Sequence, residues 1–344
     1  MSDSKVLLEV RDVKKHFPIR RGVFRKVTGY VKAVDGVSFI VKRGETVGVV
    51  GESGSGKTTL GLTIMGAYRP TAGNIWFQPT DGEYKVDLAH IDPARMKRLR
   101  RHIQMVFQDP FASLNPRMTV REIIAEPLIV NKVARGGALE GRVREVADLV
   151  GLSVHHLNRY PHAFSGGQRQ RISIARALAL YPKLLVADEP TSALDVSVQA
   201  QIINLALEIQ EKLGIAYLFI SHDLGLVRHF SQRILIMYVG RVAEYALAES
   251  LFARPRHPYT EALMSNVPSV RPELVGRRIV LRGEPADPIN PPSGCPFHPR
   301  CLYAEEICSR LVPPLEEVET EHLAACHFSR SLDLTGCDAL GCAI

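Results

Sequence analysis

Long apolar runs are missing from this chain of 344 residues. No stretch reaches the roughly 18 residues that a bilayer-spanning helix needs, and the apolar segment from Ala177 to Ala187 is broken by Pro182 and Lys183. The start, Met1-Ser2-Asp3-Ser4-Lys5, leads into polar sequence without the apolar core of a signal peptide, so a cytosolic chain is expected whose contact with a membrane goes through a partner. Cysteine is sparse, and no Cys-x-x-Cys pair occurs, which removes the usual ligand spacing of a structural zinc site. A cytosolic setting argues against a disulfide framework as well.

What is present suits one large α/β domain with a smaller appendage. The apolar fraction of 46% can bury a proper core, and the formal net charge of +7 fits acidic partners such as nucleotides, nucleic acid or anionic headgroups. Val6 to Val10 reads as a first strand, a basic loop from Arg20 to Lys32 follows, and a second strand pattern runs around Ala33 to Val41. From about Pro110 to Tyr181 the pattern is mainly helical, with Glu122 to Val130 and Leu139 to Val150 as candidate helices, as expected of an insertion in an α/β core. Leu184 to Asp188, Ala216 to Ile220 and Ile234 to Met237 are short apolar runs with the look of central parallel strands. Between the first two lies a helix whose Val198, Ile202, Leu205, Ala206, Ile209 and Leu213 share a face, stopped by Gly214. Past about Arg254 the chain turns Pro-rich and loop-rich, and a domain boundary is expected there.

Gly51-Glu52-Ser53-Gly54-Ser55-Gly56-Lys57-Thr58 fits G-x-x-x-x-G-K-[ST] and follows the strand pattern Thr46 to Val50. Glycines let the backbone curl so that N–H groups face phosphate oxygens, and the start of the next helix presents its positive end to the same place. Gly51, Ser53, Gly54, Ser55, Gly56, Lys57, Thr58 and Thr59 are the expected phosphate contacts, with Lys57 on the β and γ phosphates and the Thr58 hydroxyl on Mg²⁺. Asp188, at the carboxyl end of a strand, is expected to hold Mg²⁺, and Glu189 to orient and deprotonate the attacking water. Ser221-His222-Asp223 contains the residue types of a hydrolase triad, but neighbours in an extended segment point to opposite sides and cannot form one.

Ser165-Gly166-Gly167-Gln168 is like the signature of ATP-binding cassette proteins, and from about Leu7 to Leu251 the chain resembles that family. Gln108 matches its glutamine loop and Mg²⁺ ligand, Asp195 in Ser192-Ala193-Leu194-Asp195 its D-loop, and His222 its switch histidine. Phe17 matches the aromatic position that stacks on adenine, with Tyr30 and Phe24 as rivals. The resemblance implies a P-loop nucleotide-binding domain over residues 1–254: a RecA-like mixed sheet core, an antiparallel β subdomain and a helical subdomain at about 110–181. It also implies that two chains sandwich two ATP molecules. Ser165, Gly166, Gly167 and Gln168 then face nucleotide held by the opposite subunit, while Lys57, Thr58, Gln108, Asp188, Glu189 and His222 act on the chain's own.

Phe107 to Arg117 and Pro255-Arg256-His257-Pro258-Tyr259-Thr260 are similar to the ATPase subunits of dipeptide and oligopeptide permeases, the Ser165 region more like the second of two such subunits. This implies an ATP-hydrolysing motor of an importer, peripheral on the cytoplasmic face of the membrane. Its partners would be a second ATPase subunit (a heterodimer, or a homodimer), two transmembrane permease subunits and, indirectly, an extracytoplasmic solute-binding protein. A soluble cassette ATPase acting on nucleic acid or ribosomes is the alternative, although such proteins usually carry two cassettes and this chain has one.

The extension, residues 255–344, is expected to form a small Cys/Pro-rich domain. Its Cys295, Cys301, Cys308 and Cys326 read as metal ligands, with zinc, iron-sulfur or no metal open from the spacing. The resemblance to peptide-permease ATPases tips the choice to a [4Fe-4S] cluster. His298, His322 and His327 are spare ligands, and Cys337 and Cys342 are expected to be free thiols. The basic run Lys97 to His102 reads first as a solvated helix face.

Overall fold

The computed structural model describes residues 6–80, 84–267 and 279–337. The opening pentapeptide and Cys342 lie outside them. Two antiparallel strands come first, β1 (Val6–Arg21) and β2 (Lys26–Lys42). The basic segment expected as a loop is therefore the far half of a long hairpin, held in register from Val10 opposite Phe39 out to Arg21 opposite Lys26. Its cations obscured the pattern because this half is mostly exposed; only the near half buries alternate residues, Val34, Val37, Phe39 and Val41.

β3 (Thr46–Val50) leads into α1 (Lys57–Ile64). β4 (Ala72–Phe77) and β5 (Val86–Asp87) return to the hairpin and complete a four-stranded sheet in the order β2-β1-β4-β5. α2 (Pro93–Leu99), capped by the Asp92 carboxylate, carries part of the basic run on an exposed surface and delivers the chain to β6 (Ile103–Val106). Four helices intervene before the next strand: α3 (Pro110–Ser113), α4 (Val120–Val130), α5 (Gly136–Leu149) and α6 (Gly166–Leu178). α4 starts at a capping box in which Thr119 and Glu122 satisfy each other's backbone N–H groups.

Then follow β7 (Leu184–Asp188), α7 (Val196–Leu213), β8 (Ala216–Ser221), α8 (Leu224–Phe230), β9 (Arg233–Tyr238) and β10 (Arg241–Leu247). Strands β9-β3-β8-β7-β6 are mutually parallel. Both faces of this sheet are covered, so alternate residues enter different cores: Leu185, Ala187 and Phe219 pack toward the helical insertion, Leu184, Val186 and Leu218 toward α1 and the hairpin sheet. That two-sided burial is why these strands read as unbroken apolar runs.

The last part holds α9 (Ala248–Ala253), α10 (Pro258–Met264), α11 (Glu306–Arg310), β11 (Glu316–Glu319) and β12 (His322–Ala324). β12 pairs with β10, extending the central sheet to the order β11-β12-β10-β9-β3-β8-β7-β6. Phe297, Cys295 and Cys308 belong to the same core as the helical insertion, so the extension is built onto the sheet. Buried Glu244 on β10 fixes the join, accepting hydrogen bonds from the backbone N–H groups of Arg256 and His257 and pairing with His322 Nε2 at 2.6 Å. Among the described residues no helix is long and apolar enough to cross a membrane.

Candidate nucleotide site

β3 lies mid-sheet between β8 and β9, and the chain leaving it curls through residues 51–56 before α1 begins. Gly56 is obligatory: its φ is +100°, and a Cβ there would sit 2.0 Å from the Ala33 carbonyl oxygen. The curl opens a cavity of about 530 Å³ walled by Ser53, Gly54, Gly56, Lys57, Thr58 and Thr59 on one side and by Gln108, Glu189 and His222 on the other. Lys57 is 5% exposed, and its Nζ donates to the carbonyls of Gly51 (2.7 Å) and Glu52 (2.9 Å). Burial pulls its pKa down, opposed by Glu189, Asp188 and Glu52.

Asp188 ends β7 almost fully buried, and the Thr58 hydroxyl donates to its Oδ1 at 3.0 Å. Desolvation raises its pKa, opposed by the Thr58 hydrogen bond and by Lys57, while Glu189 pushes it further up. A desolvated carboxylate beside a hydroxyl, all oxygen donors, fits a hard cation, and Thr58 and Asp188 would hold Mg²⁺ here.

Glu189 takes the left-handed conformation, φ +45°, a strain found where backbone is held for function. Its Oε2 accepts from Gln108 Nε2 at 3.0 Å and lies 3.2 Å from His222 Nδ1. Three strand ends thus converge: Gln108 beyond β6, Glu189 beyond β7, His222 beyond β8. Asp223 takes no part, because its carboxylate caps α8 through the N–H groups of Gly225 and Leu226.

Ser165 is the N-cap of α6; its hydroxyl accepts from the N–H of Gln168, whose side-chain Oε1 accepts in turn from the Ser165 N–H. Gly167 faces α7 so closely that a Cβ would meet Val198 Cγ1 at 2.5 Å. Among the described residues, Ser165, Gly166, Gly167 and Gln168 do not wall the Lys57 cavity, and exposed Asp195 stands just before α7 elsewhere, its side chain making no capping hydrogen bond. Phe17 does not wall it either. Its ring stands edge-on to Tyr68 at 5.2 Å with Lys15 Nζ 4.9 Å from its centroid, although its partner across the hairpin, Val31, lines the cavity. Tyr30 and Phe24 are exposed on the same hairpin.

Sequence reasoning missed Pro288, which reaches back from the extension to wall the cavity and whose carbonyl accepts from the Lys32 N–H at 3.0 Å. It also missed the contacts of Glu52 with Tyr259 and Arg300. All three are long-range, with no local motif to announce them.

The metal expectation for the extension is overturned. Cys295, Cys301, Cys308 and Cys326 are free thiols around one small cavity. Burial pushes the Cys295 thiol up, Cys301 to about 11 and Cys326 to about 12, since a thiolate is costly away from water. Among the described residues no group of three or more His, Cys, Asp or Glu side chains could hold a metal ion, so neither [4Fe-4S] nor zinc is supported. The spare histidines are occupied: His322 by Glu244, His298 by the Cys295 carbonyl and His327 by that of Leu311. Cys337, expected free, is disulfide-bonded and nearly fully buried.

A phosphate loop on a central parallel strand, facing a strained glutamate held between a glutamine and a histidine, defines a P-loop nucleoside triphosphatase. Comparison with known proteins carries this further. Residues 34–192 match the family described as ABC transporter, and residues 243–308 match the oligopeptide/dipeptide transporter C-terminal region. The oligopeptide transport ATP-binding protein AppF of Bacillus subtilis is 50% identical over 95% of this chain and 98% of its own length. The dipeptide transport ATP-binding protein DppF of Haemophilus influenzae is 46% identical over 95% and 98%. Among solved structures, a dimeric post-hydrolysis state of the ATP-binding cassette MJ0796 bound to ADP and Pi matches with a TM-score of 0.61 and 30% identity, over 70% of this chain and 99% of that one. The chain belongs to the ATP-binding proteins of ABC transporters, in the oligopeptide/dipeptide branch.

Proposed function

We propose that this chain binds and hydrolyses ATP as the motor subunit of an importer for oligopeptides or dipeptides. The observation that carries the catalytic part is the meeting of Gln108 and His222 on Glu189, across one cavity from Lys57 and the Thr58–Asp188 pair. The cargo class rests on relatives such as AppF and DppF, whose descriptions are of oligopeptide and dipeptide transport.

In this reading Lys57 leaves its loop carbonyls for the β and γ phosphates, and the loop backbone and the start of α1 take up the remaining charge. Thr58 and Asp188, with Gln108, would hold Mg²⁺, which would supply charge neutralisation for the phosphates. Glu189 accepts a proton from the water that attacks the γ-phosphorus; the bond to the β–γ bridging oxygen breaks, leaving ADP and inorganic phosphate. His222 steadies the water and the γ-phosphate. Ser165, Gly166, Gly167, Gln168 and Asp195 serve the nucleotide of a partner ATPase subunit, of the same or a different kind, and Phe17 stacks on adenine after turning from Tyr68. Their position away from the Lys57 cavity, and the dimeric state of the MJ0796 cassette, support that division of labour.

Closure of the ATP-bound pair would drive two permease subunits docked near Gln108 and the helical subdomain, about 110–181. The protein then works peripherally on the cytoplasmic face of the membrane, with an extracytoplasmic solute-binding protein delivering the peptide. Residues 1–254 are assigned to the motor and 255–344 to an extension whose described part is built onto it. The nucleic-acid alternative is not favoured, since the relatives named are peptide-transport proteins. Fractionation of cells expressing the tagged chain tests the assignment: recovery with multi-span permease subunits is expected, and recovery only with ribosomes or nucleoid would overturn it.

A further inference from the structure

Glu52 occupies a variable position of the phosphate loop, yet every polar group it owns is engaged. Its carbonyl accepts from Lys57 Nζ at 2.9 Å, and its N–H donates to the hydroxyl of fully buried Tyr259 at 2.9 Å. Its carboxylate forms a two-pronged pair with Arg300, Oε2 to Nη1 at 2.7 Å and Oε1 to Nη2 at 3.1 Å. The Arg300 side chain is 7% exposed and that of Glu52 28%, so the pair is largely out of water. Arg300 is fixed in turn: its backbone N–H bonds the Phe297 carbonyl, and its guanidinium lies 5.9 Å from the Tyr238 ring centre. Tyr238, Tyr259 and Phe297 form one aromatic cluster, with centroids 4.8 Å and 5.3 Å apart along it. Two elements of the extension, α10 through Tyr259 and the turn at 298–300, thus grip a single residue of the loop.

We infer that Arg300 is a positioning residue for ATP: it neutralises and anchors Glu52, so that the phosphate loop is held open and free of net negative charge where the triphosphate must enter. The inference rests on the loop being the ATP site. A carboxylate in that loop repels the incoming anion, and the charge is tolerable only while the guanidinium covers it. Without Arg300, Glu52 is also free to seek Lys57, the nearest cation of the loop, and to compete with phosphate for it. The anchoring half of the effect is preorganisation, since a loop already fixed at residue 52 loses less freedom on binding.

The two halves make a prediction that loss of packing alone does not. In the purified full-length chain, titrated with a fluorescent trinitrophenyl-ATP and assayed for ATPase, Arg300→Ala should weaken nucleotide binding about tenfold and raise KM by the same factor while kcat changes little. Arg300→Lys, which keeps the charge and loses one prong, should fall between. Adding Glu52→Gln to Arg300→Ala removes the uncovered charge and should restore affinity to within about threefold of wild type, a rescue a second destabilising change would not give. Equal affinity of wild type and Arg300→Ala overturns the inference; so does a double variant as weak as the single one. If Arg300→Ala does not fold, the Arg300→Lys variant with and without Glu52→Gln decides by the same criterion. Lys57→Ala separates this from the reading beneath it: nucleotide affinity that survives Lys57→Ala would mean the loop is not the ATP site at all.

Discussion

Gln108 Nε2 donates to Glu189 Oε2 at 3.0 Å, joining residues 81 positions apart at the mouth of the phosphate cavity. The bond links the segment that leads from β6 into the helical insertion to the carboxylate proposed as general base. A displacement of the insertion therefore acts directly on Glu189. If permease subunits dock near the insertion as proposed, this is a short physical route between docking and chemistry.

His222 is expected to matter for turnover more than for binding. Its Nδ1 is 3.2 Å from Glu189 Oε2, and it touches none of the phosphate-loop carbonyls that hold Lys57. His222→Ala should lower kcat about a hundredfold with a change in KM of no more than about threefold. Steady-state ATPase assays check this; a selective rise in KM would place His222 in nucleotide binding.

His257 gives the stability of the extension a pH dependence. Its Nδ1 accepts from the Tyr259 N–H at the start of α10, and complete burial lowers its pKa from 6.5 to about 4. The unfolded chain then binds a proton more readily than the folded one between those values. The contribution is present above about pH 6.5 and lost as pH falls toward 4, the loss reaching about 2 kcal/mol at pH 5. His257→Asn keeps a capping side chain and removes the titration, so unfolding free energies from urea titrations at pH 7 and pH 5 should differ less in the variant than in wild type by that amount.

Gly167 tests the close approach of α6 and α7. A Cβ at this position would meet Val198 Cγ1 at 2.5 Å, so Gly167→Ala must push the helices apart or rotate Val198. Its gain in helix propensity of about 1 kcal/mol should be outweighed, with net destabilisation of about 1–2 kcal/mol in urea unfolding. Unchanged or increased stability would show that Val198 yields freely.

The site was legible where its chemistry depends on local sequence. Strand β7 runs from Leu184 to Asp188 as its apolar run indicated, and Gly56 with Lys57 sits at the strand-to-helix turn its motif requires. The approach of Gln108 and His222 to Glu189 was legible only through resemblance, since nothing local in three separate segments says that they meet. The hairpin of β1 and β2 was misread because its far half stands in solvent, where pairing of backbones leaves no apolar alternation to see. The extension was misread for the opposite reason: thiols that look like ligands in sequence, such as Cys295 and Cys308, are small buried core side chains, and the contacts of Arg300 and Pro288 with the loop span the whole fold.

The most direct test of the central claim is ATP handling by Glu189→Gln, which preserves the hydrogen-bonding shape around Gln108 and His222 and removes the base. The account predicts ATP binding near the wild-type level, a stable ATP-dependent pair of ATPase subunits on gel filtration, and hydrolysis lowered at least about a hundredfold. Hydrolysis within a few-fold of wild type would contradict it.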